Sequence, residues 1–174
     1  MALVRILVDG YNLIYAISRQ RDFSDNQSYS LLHNWPELAA GAARHSEAAR
    51  AALVEMLTQY QDASGTPVTV FFDGTGARRT RPKNSSGGAV EVLFSSSGQT
   101  ADDLIERAAH RFQDYGEVLV VTDDFAERDT VSGFGGAVAS CANFIRMIDQ
   151  VRTDLQADLN QHNRAARNSF RRRH

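Results

Sequence analysis

The sequence predicts an α/β fold: a central, mostly parallel sheet with helices on both faces. Two patterns carry that expectation. Apolar runs too short for helices, such as Val4 to Val8, Val68 to Phe72 and Val118 to Thr122, each end on an acid, as buried parallel strands do when they deliver a polar group to the carboxyl edge of their sheet. Between those runs, apolar residues recur at helical three-and-four spacing, and such alternation builds a parallel sheet with helices on both faces. The 174 residues suffice for one domain around one core.

The first strand ends in Val8-Asp9-Gly10-Tyr11-Asn12, and Leu13 to Ile17 follow as a short helix. The polar stretch Ser18 to Asn34 lacks apolar periodicity and reads as a loop. From Ser46, the spacing of Ala49, Leu53, Met56, Leu57 and Tyr60 predicts a helix that stops before Gly65 and Pro67. Strand two, Val68 to Phe72, meets Asp73, and the glycine-rich segment from Gly74 to Gly88 reads as a connection. Strand three is Ala89 to Phe94. Thr100-Ala101-Asp102-Asp103 opens a helix bearing Leu104, Ile105, Ala108, Ala109 and Phe112. Strand four carries Asp123 and Asp124 into a short helix, and Gly133 to Gly136 form a turn. Val138, Cys141, Ile145, Ile148, Val151, Leu155 and Leu159 then mark one long amphipathic helix. The domain is expected over 1–160, with a basic tail over 161–174.

A hydrophobic share of 43% with 23% charged residues is ordinary, and the net charge of -2 conceals an uneven layout. Arg78, Arg79, Arg81 and Lys83 fall in a stretch without acids, as do Arg164, Arg167, Arg171, Arg172 and Arg173. Such patches attract polyanions, unless they are merely a solvated loop and a frayed tail. The lone Cys141 rules out an intramolecular disulfide and a cysteine zinc cluster, and points to a reducing compartment. Arg5 and Asp9 interrupt the first apolar run, so it does not read as a signal peptide. No stretch reaches the roughly 18 apolar residues of a membrane span. The expected location is the cytoplasm, without membrane contact.

Asp9, Asp73, Asp102 and Asp124 are distant in sequence, yet parallel strands bring them to one edge. Clustered carboxylates repel and raise one another's pKa unless a cation joins them. Mg²⁺ suits such a set: it takes a few carboxylates, leaves room for substrate phosphates, and activates water. Each acid also has a structural reading. Asp124 with Glu127, and Thr100 with Asp103, fit capping boxes, and Asp103 suits the helix dipole. Asp9 and Asp73 are harder to assign that way, because an acid ending a buried run must be paired or bind something. The haloacid-phosphatase pattern fails at Tyr11, the dinucleotide fingerprint fails after Gly74-Thr75-Gly76, and the five histidines lack ligand spacing.

The ordered set Val8-Asp9-Gly10-Tyr11-Asn12, Trp35-Pro36-Glu37-Leu38, Glu47-Ala48-Ala49-Arg50, Val70-Phe71-Phe72-Asp73, Val90-Glu91-Val92-Leu93-Phe94, Thr100-Ala101-Asp102 and Thr122-Asp123-Asp124 resembles the NYN domains. These are relatives of the PIN nuclease fold, and the likeness is to their YacP-like bacterial members. The resemblance runs to about residue 150 and departs at Ser18 to Asn34, which looks inserted. It implies a PIN-like three-layer α/β/α sandwich and an Mg²⁺- or Mn²⁺-dependent endoribonuclease acting on single-stranded RNA. It carries over Asp9, Asp73, Asp102 and Asp124 as the acidic site, with Asn12 beside them and Asp123 as an auxiliary acid. Arg78, Arg79, Arg81 and Lys83 are expected to seat the RNA backbone. Arg50 either joins them or forms a solvated helix pair with Glu47. The competing reading is an RNA-binding module of the same fold that does not cut; a small-molecule phosphatase or nucleotide sensor finds no support in the residues.

Overall fold

A computed structural model of the chain describes residues 3–19, 34–39, 45–74 and 89–171. Five strands form one parallel sheet: β1 (Leu3–Asp9), β2 (Val68–Phe72), β3 (Glu91–Phe94), β4 (Glu117–Val121) and β5 (Ala137–Ala139). Their spatial order is β3-β2-β1-β4-β5. The helices are α1 (Gly10–Arg19), α2 (Pro36–Ala39), α3 (Glu47–Ser64), α4 (Ala101–Phe112), α5 (Phe125–Gly133) and α6 (Cys141–Arg171). In register, Val8 lies between Val70 of β2 and Val121 of β4, so the residues after these strands emerge at one edge. The chain moves outward from β1 through β2 to β3, then returns to the other flank of β1. That reversal places a crevice at the carboxyl ends of β1 and β4, where open α/β sheets bind ligands.

β1 is buried on both faces, which explains its nearly continuous apolar run. Ile6 and Val8 join a core with Leu13, Ile17, Leu53, Leu57, Phe144 and Ile148, supplied by α1, α3 and α6. Leu7 points the other way, into a core with Phe71, Ile105, Ala109, Val120 and Val131, supplied by α4 and α5. The result is the three-layer α/β/α architecture expected from the sequence. Each fully buried Leu or Ile contributes about 1.5–3 kcal/mol of burial. Truncating Leu53, which is fully buried, is expected to cost about 2–5 kcal/mol through the cavity it leaves.

Local signals set the helix ends as the sequence suggested. The Ser46 hydroxyl accepts from Ala49 N at 3.0 Å, and α3 stops at Gly65, whose left-handed φ of 71° a side chain would strain. Thr100 and Asp103 form the complete capping box at the start of α4. One element differs. Val138 was expected to begin the long helix, but it lies in β5 opposite Val120 of β4, and the helix begins only at Cys141. Val138 fits the helical spacing by coincidence, and three residues are too few to show a period of two; the exposed edge of β4 recruits them. The basic stretch from 161 continues α6 as far as Arg171. Residues 20–33 of the expected insertion, and Arg78, Arg79, Arg81 and Lys83, lie outside the described residues. Among the described residues, no helix is long and apolar enough to cross a membrane.

Candidate functional site

Asp9 ends β1 at the reversal crevice and is only 7% exposed. The following turn is tight: a Cβ on Gly10 would lie 2.3 Å from the Phe72 ring, so only glycine lets the chain pass directly into α1. Asn12 then folds back. Its backbone N–H donates to Asp9 Oδ1 at 3.1 Å, and its side-chain amide donates to Asp9 Oδ2. The same amide approaches Thr122 Oγ1 at 3.4 Å, linking the ends of β1 and β4. Asn12 thus orients the Asp9 carboxylate rather than merely closing a turn.

Three carboxylates from three elements converge here. Ligand oxygens of Asp9, Asp102 in the first turn of α4, and Glu127 in the first turn of α5 lie within 4.8 Å of one another. Glu127 is 2% exposed, and among the described residues neither of its oxygens has a hydrogen bond of normal geometry. The sequence suggested that Glu127 would complete a capping box with Asp124. Half of that box exists: Asp124 Oδ1 accepts from Ala126 N at 2.8 Å and Glu127 N at 3.2 Å. The Glu127 side chain, however, turns inward instead of back to the cap.

The other expected acids border this trio. Asp73 Oδ1 accepts from Ala101 N at 2.7 Å and approaches Ser95 Oγ at 3.4 Å, tying the start of α4 to the end of β2. Asp124 holds the start of α5. Asp123 points elsewhere, accepting from Cys141 N at 2.9 Å at the head of α6. These acids anchor the helices that carry the site, and the charges of Asp73 and Asp124 still reach it.

The electrostatics follow from burial and like charge. Burial raises the Asp9 carboxyl above its ordinary range; the Asn12 bonds pull it down, and Asp73 pushes it further up. Asp102 is raised to about 6 by burial, then by Asp9, Asp124, Asp73 and Glu106. Glu127 is raised to about 8, chiefly by burial. The nearby Thr122 hydroxyl eases that rise without forming a bond of normal geometry, while Asp102, Asp9 and Asp124 add to it. The same burial, with Asp123 and Asp9 nearby, pushes the Cys141 thiol upward, so Cys141 is a packed apolar residue and not a thiolate.

Buried carboxylates without hydrogen-bond partners are expensive unless a cation shares them. All the donors are hard oxygens, which suits a divalent ion of the Mg²⁺ or Mn²⁺ type. The YacP-like NYN domain model matches residues 27–174. The chain belongs to this family. Uncharacterized protein YacP of Bacillus subtilis (strain 168) is 28% identical over 152 residues, spanning 87% of this chain and 78% of YacP. Crystal structures of Rae1 (YacP) from Bacillus subtilis share the fold. A point mutant superposes with a TM-score of 0.65 at 25% identity, over 92% of this chain and 84% of its own. Another structure gives 0.67 at 24% identity, over 97% and 86%. Membership in the YacP-like NYN family associates the chain with nucleases and RNA.

Proposed function

We propose that this protein is a divalent-metal-dependent endoribonuclease that hydrolyses phosphodiester bonds in single-stranded RNA. The observation that carries this reading is the buried Glu127, which among the described residues has no hydrogen bond of normal geometry and lies within reach of Asp9 and Asp102. In this reading Asp9, Asp102 and Glu127 hold Mg²⁺ or Mn²⁺, and Asp73 and Asp124 add negative charge while fixing the helices. A bound divalent ion lowers the pKa of water and offsets charge that develops on a phosphoryl group.

The chain's own groups have separate tasks. Asn12 fixes the rotamer of Asp9 through two bonds and bridges to Thr122. Thr122 Oγ1 in turn accepts from Asp124 N at 3.1 Å, so the ends of β1 and β4 are held as one polar unit. Arg78, Arg79, Arg81 and Lys83 are proposed to grip the RNA backbone, adding sequence-independent phosphate contacts.

The deciding experiment is cleavage of end-labelled single-stranded RNA by the purified protein with Mn²⁺ or Mg²⁺, with EDTA and Asp9→Asn as controls. Internal cuts that vanish in both controls support the nuclease and its site together. RNA binding without cutting under any divalent metal would sink hydrolysis and leave a binding module.

A further inference from the structure

Next to the acidic crevice lies a cluster that the carboxylate site does not use. Arg50, in the first turn of α3, donates from Nη1 to the His45 carbonyl at 2.6 Å and to the Tyr11 hydroxyl at 3.2 Å. Tyr11 follows Asp9 by two residues, and its ring centroid is 4.2 Å from that of the exposed His45. From below, Tyr11 rests on the edge of the buried Phe72, 5.1 Å away. Phe72 in turn stacks on Phe94 at 5.6 Å, and the Arg50 guanidinium lies 6.0 Å from the centre of the Phe94 ring.

The contacts of Arg50 orient it without neutralising it. Both acceptors are uncharged oxygens, and among the described residues no carboxylate lies within ion-pair distance of it. A cation in the first turn of a helix also faces the positive end of the helix dipole, so its position is poor for stability. A fixed, unneutralised guanidinium beside partly exposed rings is the combination that grips single-stranded nucleic acid: the cation takes phosphate and the rings take bases. The acidic crevice repels a polyanion, so a cation at its rim lets the backbone approach.

We infer that Tyr11, His45 and Arg50 form a subsite seating the nucleotide beside the scissile phosphate, with Arg50 on a phosphodiester and the His45–Tyr11 rings on a base. This rests on the RNA reading above. Because any base offers a ring face, the subsite tolerates different sequences and discriminates single strands from duplex, whose bases are already stacked.

The test is fluorescence anisotropy of an end-labelled single-stranded RNA in EDTA, over a salt series, with melting curves for each variant. Arg50→Ala is expected to weaken binding about tenfold and to lower the salt slope by about one phosphate contact. Arg50→Lys is expected to restore the slope but only part of the affinity, because the fork geometry is lost. His45→Ala is expected to weaken binding about threefold to tenfold with the slope unchanged, as loss of stacking does. A purely structural role for Arg50 would leave the slope unmoved, and folded Arg50→Ala with wild-type affinity and slope overturns the proposal. Should Arg50→Ala fail to fold, wild-type binding by His45→Ala, or a lowered slope in Arg50→Lys, overturns it instead. A wild type that binds RNA but never cuts it with Mn²⁺ removes hydrolysis and leaves the subsite standing. One that cuts normally, while neither variant changes binding, removes the subsite alone. A wild type that binds no RNA removes both.

Discussion

The two ends of the same sheet treat charge in opposite ways. At the amino ends of β1, β2 and β3, Arg5 donates to Thr69 Oγ1 at 2.7 Å and pairs with Glu91 at 3.2 Å. The Thr69 hydroxyl donates to the same Glu91 oxygen at 2.9 Å, and Arg5 also covers the Phe112 ring at 4.8 Å. Acid, base and hydroxyl satisfy one another there. At the carboxyl ends, Asp9, Asp102 and Glu127 crowd together; among the described residues none of them is in an ion pair, and the most buried, Glu127, has no hydrogen bond of normal geometry. Buried charge normally arrives with its partner. The exception lies where the proposed metal would sit, and it suggests how the two ends should respond to substitution.

The largest effect is expected at Asp9. Asp9→Asn removes one negative oxygen from the cluster while keeping its shape, so cleavage should fall about 10³-fold, equivalent to about 4 kcal/mol of barrier. The melting temperature should change little, because relief of the buried, repelled charge is offset by the loss of one of the two Asn12 bonds, which an amide nitrogen cannot accept. Single-turnover cleavage and a thermal melt, run in parallel, check both halves. Normal cleavage by Asp9→Asn would mean that the site is misplaced.

Glu127→Gln should separate metal binding from folding. With cation at a hundred times its dissociation constant, the wild type should gain about 2.7 kcal/mol from binding, and the variant should lose most of that gain. Without metal, the variant should melt no lower than the wild type, because burial and like charge oppose the carboxylate more than the Thr122 hydroxyl helps it, and an amide oxygen can still receive that hydroxyl. Melting curves with and without Mn²⁺ decide this. A variant that keeps the full shift would show that Glu127 is not a ligand.

The pH dependence of the metal-free protein should carry the same signature. In the folded state Asp102 holds its proton to about pH 6 and Glu127 to about pH 8, whereas in the unfolded chain both ionise near pH 4. Between those limits the folded protein binds more protons than the unfolded chain, so unfolding free energy falls as pH rises. This contribution is complete below about pH 4 and is lost as pH climbs through the raised values. Excess Mg²⁺ or Mn²⁺ should flatten the trend, because the metal competes for the same ionised oxygens. Urea midpoints at pH 5, 6, 7 and 8, with and without metal, would show it; a metal-free midpoint that rises over this range contradicts the site's electrostatics.

The fold and most of the crevice were legible in the sequence because the signals are local. An apolar run ending on Asp9 is a buried strand delivering an acid, and Thr100 with Asp103 is a cap within four residues. Glu127 was not legible as a site residue. Its spacing from Asp124 matches a capping box, and only the packing of α5 against α4 and β5, with Val131 of the same helix buried, turns the Glu127 side chain inward. Asp73 and Asp123 show the converse: strand-end position correctly placed them at the sheet edge, but could not reveal which backbone amide each would hold. β5 was hidden for a related reason, since its three residues become a strand only through the edge of β4.

The smallest effect should come from the satisfied end of the sheet. Arg5→Ala and Glu91→Gln each break a pair whose side chains are 24% and 52% exposed, and water screens such a pair, so its coupling should be about 1 kcal/mol or less. Arg5→Ala should cost somewhat more than Glu91→Gln, because it also uncovers Phe112, whereas Glu91→Gln leaves Arg5 its bond to Thr69. A double-mutant cycle in low and high salt isolates the pair term, which should shrink as salt rises. RNA cleavage should be unchanged in both variants, because this end faces away from the acidic crevice. If either variant instead impaired cleavage at full stability, the division between a satisfied end that stabilises the sheet and an unsatisfied end that binds metal would be wrong.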